Sequence, residues 1–312
     1  MTSTSNHPEQ RVGIIGLGAM GRPMARHLAA AHGSVAITSR RPKHEVIADL
    51  NAGTNTPASA FRWNSNANDM ATDCDAILLM LPDLPQIREY LEGPDGLLAG
   101  LTHRPGQSPA LLLIIGSTCS AVGMRQLAAD LHERYGERVD VVDAPVSGGE
   151  DGAEAGTLSI MLGGTAPSCA RAAEVLAPCG TPVRLGGVGS GQVAKACNQL
   201  VVGATIFALG EASVLAERSG LDLAAMWDLL GGGYASSRLL DSRKERLVTN
   251  DDSPSGAIKY LLKDLQSAQE IARDTAVNAT LLPTLQQAVL EVINAGLGDR
   301  DLSVTKRFTA ER

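Results

Sequence analysis

The sequence predicts a doubly wound α/β domain built on a mostly parallel sheet, followed by an all-α C-terminal domain. The first sign is alternation: between Val12 and Leu185, short apolar runs take turns with helix-patterned segments. The second is the change of texture after G-G-V-G-S-G (Gly186 to Gly191), beyond which no strand pattern is found and helical periodicity takes over. The third is composition. Aromatic residues make up only 3% of the chain, and Leu, Ala, Val and Ile fill the apolar positions, which suits parallel α/β and helical packing better than an all-β sandwich.

Candidate strands are Val12–Ile15, Val35–Thr38, Ala76–Leu81, Leu111–Ile115, Val139–Val142, Leu158–Leu162 and Val183–Leu185. Several are continuously apolar rather than alternating, as expected of strands covered on both faces. Arg125–Tyr135 and Pro167–Ala177 have helical patterns between them. Gln192–Arg218 is expected to form one long helix, apolar nearly all round and therefore buried on most sides. Further helices are expected at Leu223–Leu230, Gly256–Arg273 and Pro283–Asn294. The domain boundary falls at 188/189, giving units over residues 1–188 and 189–312, with residues 1–10 a disordered polar tail.

The 312 residues are enough for two domains with cores of their own. A net charge of −7 argues against nucleic acid and anionic membrane surfaces as partners. No apolar run is read as a membrane span, and the N-terminus lacks the apolar core of a signal peptide. The five cysteines are scattered, without a C-x-x-C pair, and are expected to be reduced thiols of a cytoplasmic protein.

Chemistry enters at G-L-G-A-M-G: Gly16, Leu17, Gly18, Ala19, Met20 and Gly21. They follow the first strand and open a helix, the context in which G-x-G-x-x-G binds a dinucleotide. Gly16 permits the tight turn, Gly18 lets backbone approach a pyrophosphate, and Gly21 allows the helix to pack closely. The helix N-terminus offers its N–H groups to the phosphates. At the end of the second strand, a carboxylate would hold the ribose 2′-OH of NAD. Instead the chain has Ser39, Arg40 and Arg41, with no carboxylate before Glu45. Two guanidiniums suit a 2′-phosphate, so NADP is the expected cofactor, with NAD as the alternative.

D-A-P-V-S-G-G (Asp143 to Gly149) closes another strand with a turn, Ser147-Gly148-Gly149, whose backbone N–H groups are suited to a carboxylate. On the long helix, Lys195, Asn198 and Gln199 fall at i, i+3 and i+4 and share one face. A lysine on a helix that otherwise buries apolar residues is either paired or kept for chemistry, since burying an ammonium is costly. Such a lysine can serve as acid or base near neutral pH. A surface lysine at the helix start is the alternative.

Taken together, these motifs resemble the β-hydroxyacid dehydrogenase family, which includes 3-hydroxyisobutyrate dehydrogenase and tartronate semialdehyde reductase. The resemblance covers nearly the whole chain. It rests on the glycine turn with Met20, M-L-P at Met80–Pro82, S-T at Ser117-Thr118, D-A-P-V-S-G-G, Lys195 with Asn198, and K-D-L at Lys263–Leu265. It implies a Rossmann-like domain with a helical partner and hydride transfer between a nicotinamide and a small semialdehyde or hydroxy acid. It further implies Lys195 as catalytic acid/base with Asn198 orienting it, and Ser147, Gly148 and Gly149 holding the substrate carboxylate. Ser117, Thr118 and Gln199 would line the substrate site, with Leu81, Pro82, Gln86, Thr118 and Lys263 near the cofactor. A homodimer or homotetramer is implied as well, and no metal.

Departures from the family pattern bear on substrate choice. Ile115 and Ala121 stand where members often have Asp and Pro, Gln199 where many have a second Asn, and Gln86 where NAD-using relatives often have Asn. The Gly231–Ser237 loop, with Tyr234 and Ser236, is a further candidate contact. No Tyr-x-x-x-Lys pair exists, and all six histidines lie at or before His132, so other dehydrogenase designs fit less well. The long helical extension of 6-phosphogluconate dehydrogenases is absent. An imine reductase or a non-catalytic dinucleotide-binding protein are the competing readings; in both, the lysine is usually lost.

Overall fold

The computed structural model describes residues 10–53, 56–105 and 108–312. Most of the tail expected over residues 1–10 lies outside the described residues. The chain divides into two compact units, Met1–Lys195 and Ala196–Arg312, with the division inside one continuous helix.

The first unit is a Rossmann-like α/β domain. Its strands are β1 (Val12–Ile15), β2 (Val35–Thr38), β3 (Phe61–Trp63), β4 (Ala76–Leu79), β5 (Leu111–Ile115), β6 (Val139–Asp143), β7 (Val146–Ser147), β8 (Leu158–Gly163) and β9 (Gly180–Gly186). The order across the sheet is β3-β2-β1-β4-β5-β6-β8-β7, with β9 paired to β8. From β3 to β6 every pairing is parallel. β8 then runs antiparallel to both β6 and β7, and β9 parallel to β8.

Helices α1 (Gly21–His32), α2 (Lys43–Asn51), α3 (Ala67–Asp73), α4 (Leu84–Leu91), α5 (Leu97–Gly100), α6 (Ala121–Tyr135), α7 (Gly149–Glu154) and α8 (Ala166–Leu176) connect the strands. Two apolar layers result, one on each face of the sheet. Ile14, Met24, Leu28 and Leu112 belong to one, and Ile15, Ile77, Met70 and Leu113 to the other. Every residue of β1, β2, β4 and β5 is buried, the physical reason for their unbroken apolar sequence. Burial of each such Ile or Leu side chain stabilises the fold by roughly 1.5–3 kcal/mol before conformational entropy is counted.

Two strands go beyond the sequence reading. Phe61-Arg62-Trp63 adds a short edge strand, and Val146-Ser147 a two-residue one beside β8.

The second unit continues from helix α9 (Ser190–Arg218) through α10 (Leu223–Leu230), α11 (Arg238–Thr249), α12 (Lys259–Asp274), α13 (Leu281–Val292) and α14 (Val304–Glu311). Its core joins Ile206, Phe207 and Leu209 of α9 to Trp227, Leu247, Leu261, Leu265, Leu285 and Val304. One side of α9 stays open: Val201 is 64% and Leu215 70% exposed, on the side away from that core. The helix is also long and apolar enough to cross a membrane by length and composition alone, which a search for unbroken apolar runs did not register. The buried Ile206, Phe207 and Leu209 place that apolar character in a protein core.

Four cysteines, Cys74, Cys119, Cys169 and Cys179, are buried as free thiols, and Cys197 on α9 is exposed. Burial pushes the Cys74 and Cys179 thiols up to about 12, so they are inert packing groups.

Candidate active site

The glycine turn sits where β1 ends and α1 begins. Gly16 has φ +97°, and a Cβ there would lie 2.2 Å from the carbonyl oxygen of Met80. At Gly21 a Cβ would lie 1.8 Å from the carbonyl oxygen of Gly16, so α1 can approach the turn only because that side chain is missing. Gly18 is different: a Cβ there would meet nothing within 4 Å, and its surface is open. Among the described residues no side chain caps the first turn of α1. An open backbone at an uncapped helix N-terminus fits the pyrophosphate of a dinucleotide.

Beyond β2, the Ser39 hydroxyl accepts the amide of Arg41 at 3.1 Å and shapes the turn. Arg41 pairs with Asp49 at 2.8 Å and Glu45 at 3.5 Å. Arg40 is more loosely held, 3.4 Å from the Gln86 Oε1 that it donates to and 3.8 Å from Glu89. The structure thus brings Arg40, one of the two guanidiniums expected at the 2′-phosphate, against Gln86, which was expected near the cofactor. It adds the acidic neighbours Glu45, Asp49 and Glu89.

The M-L-P and S-T segments meet directly. The Leu81 amide donates to the Ser117 hydroxyl at 2.8 Å, and that hydroxyl donates to the Leu79 carbonyl. Ser117 is buried, so its hydroxyl serves this backbone junction, whereas Thr118 beside it is partly exposed. Leu81 also lies 3.3 Å from the Cβ position of Gly16, which ties the junction to the glycine turn. Ser147 lies in β7, paired with Ser159. Gly148 (φ +139°) and Gly149 (φ +64°) turn the chain into α7, conformations that disfavour other residues.

Lys195 lies in the second turn of α9 and is 9% exposed. Helical continuity puts Asn198 and Gln199 on the same face of α9. Within the helical unit, Asn198 donates to Gln199 Oε1 at 2.9 Å, and Gln199 donates to the Asp264 carboxylate at 2.6 Å. Asp264 belongs to the K-D-L segment of α12, next to Lys263. Tyr234, in the glycine loop after α10, is fully exposed.

Sequence reading missed three residues. Asp143, wholly buried at the end of β6, accepts the amides of Gly189 at 2.7 Å and Gln192 at 2.8 Å. Gln192 bridges onward to Ser117 and Cys119. Asp264 organises Gln199. Asp143 and Asp264 were in view only as members of D-A-P-V-S-G-G and K-D-L, and nothing in the spacing of Asp143 pointed to amides 46 and 49 positions downstream. Burial, opposed by those amides, raises the Asp143 carboxyl to about 6.

Two family models account for almost the whole chain. Residues 11–193 match the NAD binding domain of 6-phosphogluconate dehydrogenase, and residues 189–308 match the NAD-binding domain of NADP-dependent 3-hydroxyisobutyrate dehydrogenase. The chain belongs to the β-hydroxyacid dehydrogenase family. As a member it is an oxidoreductase that binds NAD(P). The dehydrogenase is 34% identical to 2-hydroxy-3-oxopropionate reductase of Escherichia coli over 279 residues, 89% of each chain. It is 30% identical to L-threonate dehydrogenase of the same species, over 96% of this chain and 95% of that one. Among solved structures, 3-hydroxyisobutyrate dehydrogenase of Mycobacterium tuberculosis with L-serine superposes with a TM-score of 0.79. The match has 27% identity and covers 96% of this chain and 99% of that one.

Proposed function

We propose that this dehydrogenase interconverts a small semialdehyde acid and the matching hydroxy acid, uses NADP in preference to NAD, and relies on Lys195 as acid and base. The observation that carries the reading is a lysine 9% exposed in the second turn of α9, whose start is bonded to the strand end preceding Ser147-Gly148-Gly149. Buried ammonium groups are costly and are kept where they do chemistry or are paired.

When bound, the nicotinamide supplies the hydride. The Gly16–Gly21 turn and the α1 N-terminus would hold the pyrophosphate, and Arg40 and Arg41 the 2′-phosphate. Amides of the Ser147–Gly149 turn would hold the substrate carboxylate, which fixes the carbonyl in one orientation. Lys195, as ammonium, gives a proton from Nζ to the carbonyl oxygen as negative charge develops there; in oxidation the neutral amine takes it back. Asn198, one turn further along α9, would keep the amine and the substrate oxygen in line.

The relative 34% identical is named a reductase of 2-hydroxy-3-oxopropionate, which supports a substrate carrying both an aldehyde and a carboxylate. Self-association completes the proposal. Cys197, Val201, Ala208 and Leu215 are exposed along one side of α9, with Glu211 between the last two, and a second copy would cover this largely apolar side in a homodimer or homotetramer.

The test is oxidation of NADPH and, separately, NADH with glyoxylate, succinic semialdehyde, methylmalonate semialdehyde and 2-hydroxy-3-oxopropionate, followed at the nicotinamide absorbance. Turnover with at least one of them, faster with NADPH, is expected. No consumption of either cofactor with any of the four would sink the reading.

A further inference from the structure

We propose that Asp143 and Gln192 form a positioning clasp that fixes the start of α9, and with it Lys195, against the Ser117–Cys119 loop and the Ser147–Gly149 turn. The inference rests on Lys195 being the acid/base, and it assigns work to two residues that touch neither substrate nor cofactor in that scheme.

Helices α3, α4, α6, α8, α10 and α11 are each capped by the side chain of their own N-cap residue: Asn66, Asp83, Ser120, Thr165, Asp222 and Ser237. A cap of that kind stabilises its helix but says nothing about where the helix lies. The amides at the start of α9 are taken by a carboxylate from the end of a strand instead. Asp143 Oδ1 accepts Gly189 and Oδ2 accepts Gln192, so one side chain ties β6 to α9 across 46 and 49 residues of sequence. A carboxylate at the positive end of a 29-residue helix is favourably placed, and its charge strengthens both bonds.

The carboxylate is held from outside as well. A Cβ at Gly163 would come within 2.4 Å of Oδ1, and one at Gly191 within 2.8 Å of Oδ2. With glycine at both positions, backbone closes around the carboxylate on two sides. Burying a carboxylate wholly is expensive, and a surface cap would have stabilised α9 without that cost. What the buried arrangement adds is position.

Gln192 extends the clasp. It is 2% exposed, its Nε2 donates to the Ser117 carbonyl at 2.8 Å, and its Oε1 accepts the Cys119 amide at 2.9 Å. Both backbone groups flanking Thr118 are therefore read by one side chain. Lys195 follows three residues later, about 4.5 Å along the axis and on the same face of the helix. Asp143 in turn stands four residues before Ser147 on the same short segment. The proton donor, the Ser117–Thr118 loop and the carboxylate-holding turn are thus referenced to one buried pair.

The experiment compares Asp143→Asn, Gln192→Met and Lys195→Met, alone and combined, using NADPH and 2-hydroxy-3-oxopropionate. Asparagine is isosteric but cannot accept both amides; methionine fills the glutamine's space without its bonds. Each clasp variant is expected to lower kcat by about tenfold or more while the Kd for NADPH, read by nucleotide fluorescence, changes by less than about threefold. In the Lys195→Met background the same substitutions are expected to cost no more than about twofold, because they act through the lysine. A purely structural role would lower cofactor binding in parallel and multiply with the lysine loss.

Hydrogen–deuterium exchange across residues 187–195 supplies a readout that needs no turnover, and faster exchange in both clasp variants is expected. If Asp143→Asn does not fold, Gln192→Met carries the test alone. Wild-type kcat in a folded clasp variant, or unchanged exchange at 187–195, would overturn the clasp. Full turnover by Lys195→Met would instead overturn the acid/base reading on which it stands.

Discussion

Lys195→Ala is expected to lower kcat by about 10²–10⁴-fold, the usual contribution of a positioned general acid, while NADPH binds as in the parent. The two measurements separate the lysine's proposed role from general damage. Losing the proton donor leaves the cofactor's cradle at Gly16–Gly21 untouched, so binding and turnover must part company. An alanine variant that turns over at the parental rate refutes the assignment outright.

The second large effect is expected at the turn after β2. Replacing both Arg40 and Arg41 with alanine is expected to raise KM for NADPH by about 100-fold or more, with KM for NADH moved less than about threefold, since only the former carries the 2′-phosphate. The two arginines are not equivalent. Arg41 already shares its charge with Asp49 at 2.8 Å and Glu45, whereas the contacts of Arg40 are long, 3.4 and 3.8 Å. A guanidinium that gives up less on binding phosphate contributes more, so Arg40→Ala alone should weigh more heavily than Arg41→Ala. Steady-state kinetics with each cofactor decides it. An unchanged NADPH/NADH ratio in the double variant would show that the turn does not choose the cofactor.

The parts of this fold that were legible in sequence are those whose burial is complete. β1, β2, β4 and β5 are buried at every residue and so write unbroken apolar runs. β3 was illegible because Phe61-Arg62-Trp63 is three residues long with an arginine in the middle, at the sheet edge where one face has little to cover. Helix α11 was missed for a related reason: in a segment as charged as Arg238–Thr249 only Leu240 and Leu247 are buried, too sparse a stripe to register as periodic.

Within the site, the glycine turn was legible because its chemistry depends on spacing along the chain. Ser117 was picked out, but as a lining residue. Its hydroxyl in fact bridges Leu79 and Leu81, a duty set by strand neighbours that no local pattern records. Asp143 and Gln192 were silent for the same reason, since all their partners are backbone groups of distant segments.

The distribution of thiols has a practical consequence. With four sulfurs enclosed and one at the surface, a maleimide dye will enter the native protein at a single point, two residues past Lys195. That point lies on the very stripe of α9 that a second copy is proposed to cover. Dilution that separates subunits should therefore speed the labelling of Cys197, so a dye uptake rate followed against protein concentration gives the association constant without any substrate in hand.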